Sequence, residues 1–147
     1  MALGSIAVFC VVLQASAQEA GGQAQSPVGV WRTVDDATGK AKSLVKIWEQ
    51  GGKVYGKVLE LIDPPEPNPV CEKCKGSGKN KPVIGMTIMR GLERDGREWS
   101  GGTILDPETG STYKVYVEVQ DGGKKLKVRG FIGISLLGRT QYWHRVR

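Results

Sequence analysis

From Tyr113 to Val119 the odd positions (Tyr113, Val115, Val117, Val119) are apolar and the even ones are largely polar, with Lys114 and Glu118 among them. A period of two is the mark of a β-strand with one dry and one wet face. Leu126, Val128 and Gly130 alternate in the same way with Lys125, Lys127 and Arg129. Short β-branched and aromatic runs recur at residues 28–34, 43–49, 54–62, 84–92, 99–105, 112–119, 126–132 and 139–146. Most are separated by turn chemistry: Asp35-Asp36 opening DDATGK, the pair Gly51-Gly52, Asp95-Gly96, Asp106-Pro107, and Asp121-Gly122-Gly123. No stretch of helical period intervenes, so the pattern predicts an all-β chain of eight antiparallel strands. Laid flat, such a sheet would leave two unpaired edges. Closure into an up-and-down barrel removes both, and eight strands enclose just enough room for packed side chains or one small ligand. A two-sheet sandwich is the alternative, and the short connections favour the barrel. One connection is long: residues 63–83, between the third and fourth strands, stiffened by Pro64, Pro65, Pro67 and Pro69.

The N-terminal segment has a different pattern. Residues 6–13, IAVFCVVL, form an apolar run followed by Ala15-Ser16-Ala17, the small-x-small pattern of a secretory cleavage site. The run is too short to span a bilayer, which takes roughly 20 apolar residues. The expected organisation is a signal peptide over 1–17 cleaved after Ala17, a flexible lead-in over 18–27, and one β-barrel domain over 28–147, located in the periplasm or secreted. A transmembrane segment is not expected.

Two features then meet: Gly29-Val30-Trp31 on the first strand, and Gly138-Arg139-Thr140-Gln141-Tyr142-Trp143 on the last. A Gly-x-Trp with a last-strand arginine over its indole resembles the lipocalin, or calycin, pattern, in which the pair closes the barrel floor. Other elements stand in order between them, including Asp35-Asp36, Cys71-Glu72-Lys73-Cys74, Ile104-Leu105-Asp106-Pro107 and Val128-Arg129-Gly130-Phe131-Ile132-Gly133. Together they resemble the DUF2147 family of secreted bacterial proteins of unassigned function. The resemblance implies a lipocalin-like barrel and export, and it supplies no activity. It assigns Gly29, Trp31 and either Arg139 or Arg145 to the barrel floor; the two arginines share one strand face.

Composition narrows the chemistry. A single histidine, His144, leaves triads and His-rich metal sites without their parts. Asp35-Asp36 and Asp106-Pro107-Glu108 read as turn caps rather than as an acid pair. No catalytic residues, cofactor or bound metal are expected, and the chain is not read as an enzyme. The formal charge is +6, but the basic residues are scattered and aromatics few, so nucleic acid is not an expected partner. Cys71 and Cys74, in an exported chain, are expected to form a disulfide. Residues 71–78 also resemble one CxxCxGxG zinc repeat of DnaJ-type chaperones. Zinc completed by Glu66, Glu72 or a second chain, and thiol–disulfide exchange, therefore stand as alternatives.

The function expected is binding of a small, partly apolar molecule in the barrel or at its mouth. Candidate lining residues are Val45, Ile47, Val58, Met86, Ile88, Trp99, Tyr113, Val115, Val117 and Leu126, with Arg129 or Gln141 as polar anchors. The second reading is a cell-envelope interaction module with a filled barrel, docking a partner protein through residues 63–83.

Overall fold

The structure, a computed structural model, describes residues 26–147. The eight strands are β1 (Gly29–Val34), β2 (Ala41–Gln50), β3 (Lys53–Leu61), β4 (Thr87–Asp95), β5 (Glu98–Asp106), β6 (Ser111–Gln120), β7 (Lys125–Phe131) and β8 (Gly138–Arg145). Each pairs antiparallel with the next, and β8 returns to β1 through Trp31 opposite Arg145 and Arg32 opposite His144. The sheet is thus a closed barrel with no free edge. The sandwich alternative is excluded, because no strand leaves the cycle. The expected signal peptide, over 1–17, lies outside the described residues.

Alternation sets the faces. Val115 and Val117 are buried while Lys114 is exposed, and Leu126 and Val128 are buried on the neighbouring strand. Trp31, Val45, Ile47, Val54, Met89, Leu92, Val117 and Leu126 are all at most 1% exposed and form the packed core. These side chains come from one end of the barrel, where Ser26, Arg147 and the β2–β3, β4–β5 and β6–β7 turns lie. The long connection and the β1–β2, β5–β6 and β7–β8 turns lie at the other end, the mouth.

The strands depart from the expected boundaries in one informative place. Residues 84–86 precede β4 instead of opening it. The Gly85 N–H donates to the Val58 carbonyl (2.7 Å) and the Val58 N–H to the Met86 carbonyl (3.0 Å), so this segment still borders β3 but outside the regular ladder. The connection over residues 62–86 is itself ordered by pairing. Val70 bridges Pro82, Cys71 and Cys74 are disulfide-bonded, the Asn80 N–H donates to the Cys71 carbonyl (2.8 Å), and Val83 is buried.

Candidate functional site

The barrel floor is built around Trp31. Its indole N–H donates to the Pro27 carbonyl (2.7 Å), and the Arg145 guanidinium lies 4.2 Å from the ring centroid. Arg145 also donates to the carbonyls of Gly123 (2.6 Å), Val28 (2.7 Å) and Ser26 (2.8 Å), tying a turn and the incoming chain to the last strand. Ser26 and Pro27, expected in a flexible lead-in, are therefore part of the floor. Gly29 is required here by space: a Cβ would lie 2.5 Å from Arg145 Nη1 and 2.7 Å from the Arg147 carbonyl oxygen. Arg139 needs correction as a floor candidate. It shares the face of Arg145 but sits at the opposite end of β8, where it pairs with Asp36. Replacing Arg145 by alanine removes a cation–π contact and three charge-assisted hydrogen bonds, and is expected to cost about 2–4 kcal/mol in urea unfolding. Arg145→Lys should recover less than half of that, because an ammonium cannot present the planar fork. An unchanged midpoint would contradict the role given to Arg145.

Above the packed half lies a cavity of about 770 Å³ that opens at the mouth. Small-ligand sites commonly measure roughly 300–1,000 Å³. One wall is aliphatic, with Val58, Val83, Ile88, Ile104 and Val128. The other is a connected polar line. Trp143 Nε1 donates to Gln141 Oε1 (3.2 Å), Gln141 Nε2 donates to Asp36 Oδ2 (3.2 Å), and Arg139 donates to the same carboxylate. Thr33 and Ser43 hydroxyls, both buried, bond each other at 2.7 Å on the adjoining strands. Every buried side-chain polar atom among the described residues has a hydrogen-bond partner.

The rim combines turns with the long connection. The backbone N–H and hydroxyl of Thr38, 2.8 and 3.1 Å from Asp35 Oδ1, hold the Asp35 carboxyl below its ordinary pKa. Asp106 caps its turn through the Glu108 N–H (2.9 Å). Asp36 makes no such cap and instead ends the polar line. The disulfide segment rests on the β5–β6 turn: Cys71 Sγ lies 3.3 Å from the Pro107 carbonyl oxygen, and a Cβ on Gly110 would collide with the Lys73 carbonyl. Both cysteines are buried, at 0% and 4% exposure, which shields the disulfide from an attacking thiolate.

Of the ten candidate lining residues, Val58, Ile88 and Tyr113 border the cavity. Val45, Ile47, Trp99, Val115, Val117 and Leu126 fill the barrel below it, and Met86 packs against the core just before β4. Gln141 lines the cavity; Arg129 does not, its guanidinium holding the β7–β8 turn through the Ser135 carbonyl (2.7 Å) and the Thr140 hydroxyl (2.9 Å). Thr33, Ser43, Asp36, Gly130 and Trp143 were not anticipated as lining residues. Gly130 carried a signal, a residue without a side chain on the apolar face of an alternating strand. His144 faces away from Trp143, in register with Lys125 and Arg32. No group of three or more His, Cys, Asp or Glu among the described residues is placed to hold a metal ion.

A closed eight-stranded antiparallel barrel, stoppered at one end by a Trp–Arg pair and hollow at the other, is the architecture of a lipocalin-like protein. The chain belongs to the family described as uncharacterized proteins conserved in bacteria (DUF2147), whose model matches residues 29–145. Among solved structures it is similar to protein HP1028 from the human pathogen Helicobacter pylori, described as belonging to the lipocalin family. That likeness has 22% identity and a TM-score of 0.72, covering 83% of this chain and 84% of the other. A search of curated proteins finds no match.

Proposed function

We propose that this protein is exported and binds a small, partly apolar molecule in the mouth half of its barrel. The observation that carries the reading is the cavity itself, aliphatic on one side and hydrogen-bonded on the other, which is the composition of a small-molecule site. Export is supported by the apolar run and Ala15-Ser16-Ala17 in the sequence, and by the bonded Cys71–Cys74 pair, a state kept in oxidising compartments. No helix among the described residues is long and apolar enough to cross a membrane. The burial of both cysteines gives the thiol-exchange alternative no support.

Gly130 provides the test. A Cβ there would meet Tyr113 Cβ at 3.7 Å and Ile104 Cγ2 at 3.8 Å, ordinary contacts, so a larger side chain can extend into the cavity without moving the wall. The neutral apolar dye Nile red is expected to bind the wild-type protein saturably, with one dye per chain. Gly130→Leu should weaken that binding by about tenfold or more while leaving the unfolding free energy within about 1 kcal/mol of wild type. A protein that never saturates with the dye, or a leucine variant that binds equally well, would count against the cavity as a binding site.

A further inference from the structure

We infer that the ligand is a cationic amphiphile, an aliphatic chain bearing an amine or quaternary ammonium head. The inference rests on the cavity being a ligand site and concerns the charge that the site selects. The chain as a whole is basic, at +6, and by that measure would attract anions. Its cavity mouth has the opposite balance. Two of the cations there are already engaged by carboxylates: Lys42 Nζ lies 2.7 Å from Glu108 and 3.9 Å from Asp35, and Arg139 pairs with Asp36. What remains on the lining is Asp63, Glu66, Glu72 and Asp106 against Lys73. Asp63 and Glu66 stand on the proline-rich part of the long connection and Glu72 inside the disulfide segment. The backbone therefore holds these charges at the entrance. A cation entering the mouth meets a surplus of carboxylates, and an anion meets the same surplus as repulsion.

A second, independent feature calls for a long aliphatic part. Ile132 and Leu137 border the cavity and continue outward into Ile134 and Leu136, which are 60% and 82% exposed. These side chains belong to a turn that is held, since Arg129 donates to the Ser135 carbonyl from both Nε (3.0 Å) and Nη2 (2.7 Å). The entrance thus has an aliphatic edge beside an acidic edge, and the interior continues the aliphatic one through Ile104 and Ile88. An alkyl chain laid along that edge and on into the cavity exchanges water for aliphatic contact, most fully in the interior beside Ile88 and Ile104, while its cationic head stays among the rim carboxylates.

The test is displacement of Nile red by three probes of equal chain length: dodecyltrimethylammonium and dodecyl sulfate below their micelle concentrations, and dodecanol below its solubility limit. At low ionic strength the ammonium should displace the dye at a concentration about tenfold or more below that of the sulfate, with dodecanol between them. The preference should shrink in raised salt, because exposed charges are screened. It should also fall by about fivefold in the triple variant Asp63→Asn, Glu66→Gln, Glu72→Gln. Equal displacement by ammonium and sulfate, a sulfate preference, or a preference that the triple variant leaves untouched would each overturn the inference while the cavity reading stands. Failure of all three probes against bound Nile red also overturns it. Failure of Nile red itself to bind, together with the probes, overturns the cavity reading as well.

Discussion

Trp31→Ala is expected to lower the unfolding free energy by about 3–5 kcal/mol, the range for deleting a fully buried indole. Trp31 is 0% exposed, contacts the core formed by Val45 and Ile47, and lies between that core and Arg145. Its removal takes away the ring on which Arg145 stacks and the donor that holds the Pro27 carbonyl. The hole would fall at the floor, where β1 and β8 share the shortest ladder in the barrel, two residue pairs beside the Val146 N–H to Val30 carbonyl bond (2.8 Å). A domain of this size is stable by about 5–15 kcal/mol, so the substitution removes a large part of the whole. Urea unfolding followed by circular dichroism reads the loss. Trp31→Phe should lie between the two, retaining ring area without the N–H. A loss under about 1 kcal/mol for Trp31→Ala would show that the floor is not held by this residue.

The second large effect concerns the mouth. Gly110→Val is expected to cost about 2–4 kcal/mol and to weaken Nile red binding by about fivefold or more. Gly110 has φ +71°, and its missing Cβ makes room for the Lys73 carbonyl and the Cys74 N–H. Valine there is strained in its own backbone and also drives the disulfide segment off the β5–β6 turn, taking Glu72, Lys73 and Val83 out of the cavity wall. The two causes separate with a control. Gly39 has φ +69° with nothing within 4 Å of a built Cβ, so Gly39→Val carries the backbone strain alone. Gly39→Val should cost roughly 1–2 kcal/mol and leave dye binding in place. Equal behaviour of the two variants in both measurements would mean that the segment over 62–86 does not depend on Gly110 for its position.

The strand order, the faces and the turns were legible in the sequence because they are local. Alternation from Tyr113 to Val119 and the Gly and Asp turns depend on neighbours two to six residues apart. The same pattern named the inward residues: Val45, Ile47, Val115, Val117 and Leu126 all face the interior. It said nothing about depth. Period two reports which side of the sheet a residue is on, and a core residue at the floor looks the same in sequence as one lining a cavity. Residues at one level of a barrel come from eight strands whose stagger is set only when the sheet closes. That stagger places Val58, Ile88, Tyr113 and Trp143 together at the cavity and gathers Trp31, Leu92 and Leu126 in the packed half.

The arginines show the same division. The sequence puts Arg139 and Arg145 on one face of one strand, six residues and therefore roughly 20 Å apart. Closure brings the later one over Trp31 and the earlier one to Asp36. The mouth charges had no sequence signal at all. Asp36 stands in the β1–β2 turn, Asp63 and Glu72 nine residues apart on the long connection, and Asp106 at the end of β5, and the overall +6 points the other way. What the sequence by itself determined is therefore the barrel and the chemical character of each strand face. Only the tertiary structure decided that one half is filled and the other hollow, and that carboxylates from separate turns meet at the entrance. Both depend on contacts between residues distant in the chain, which local patterning does not encode.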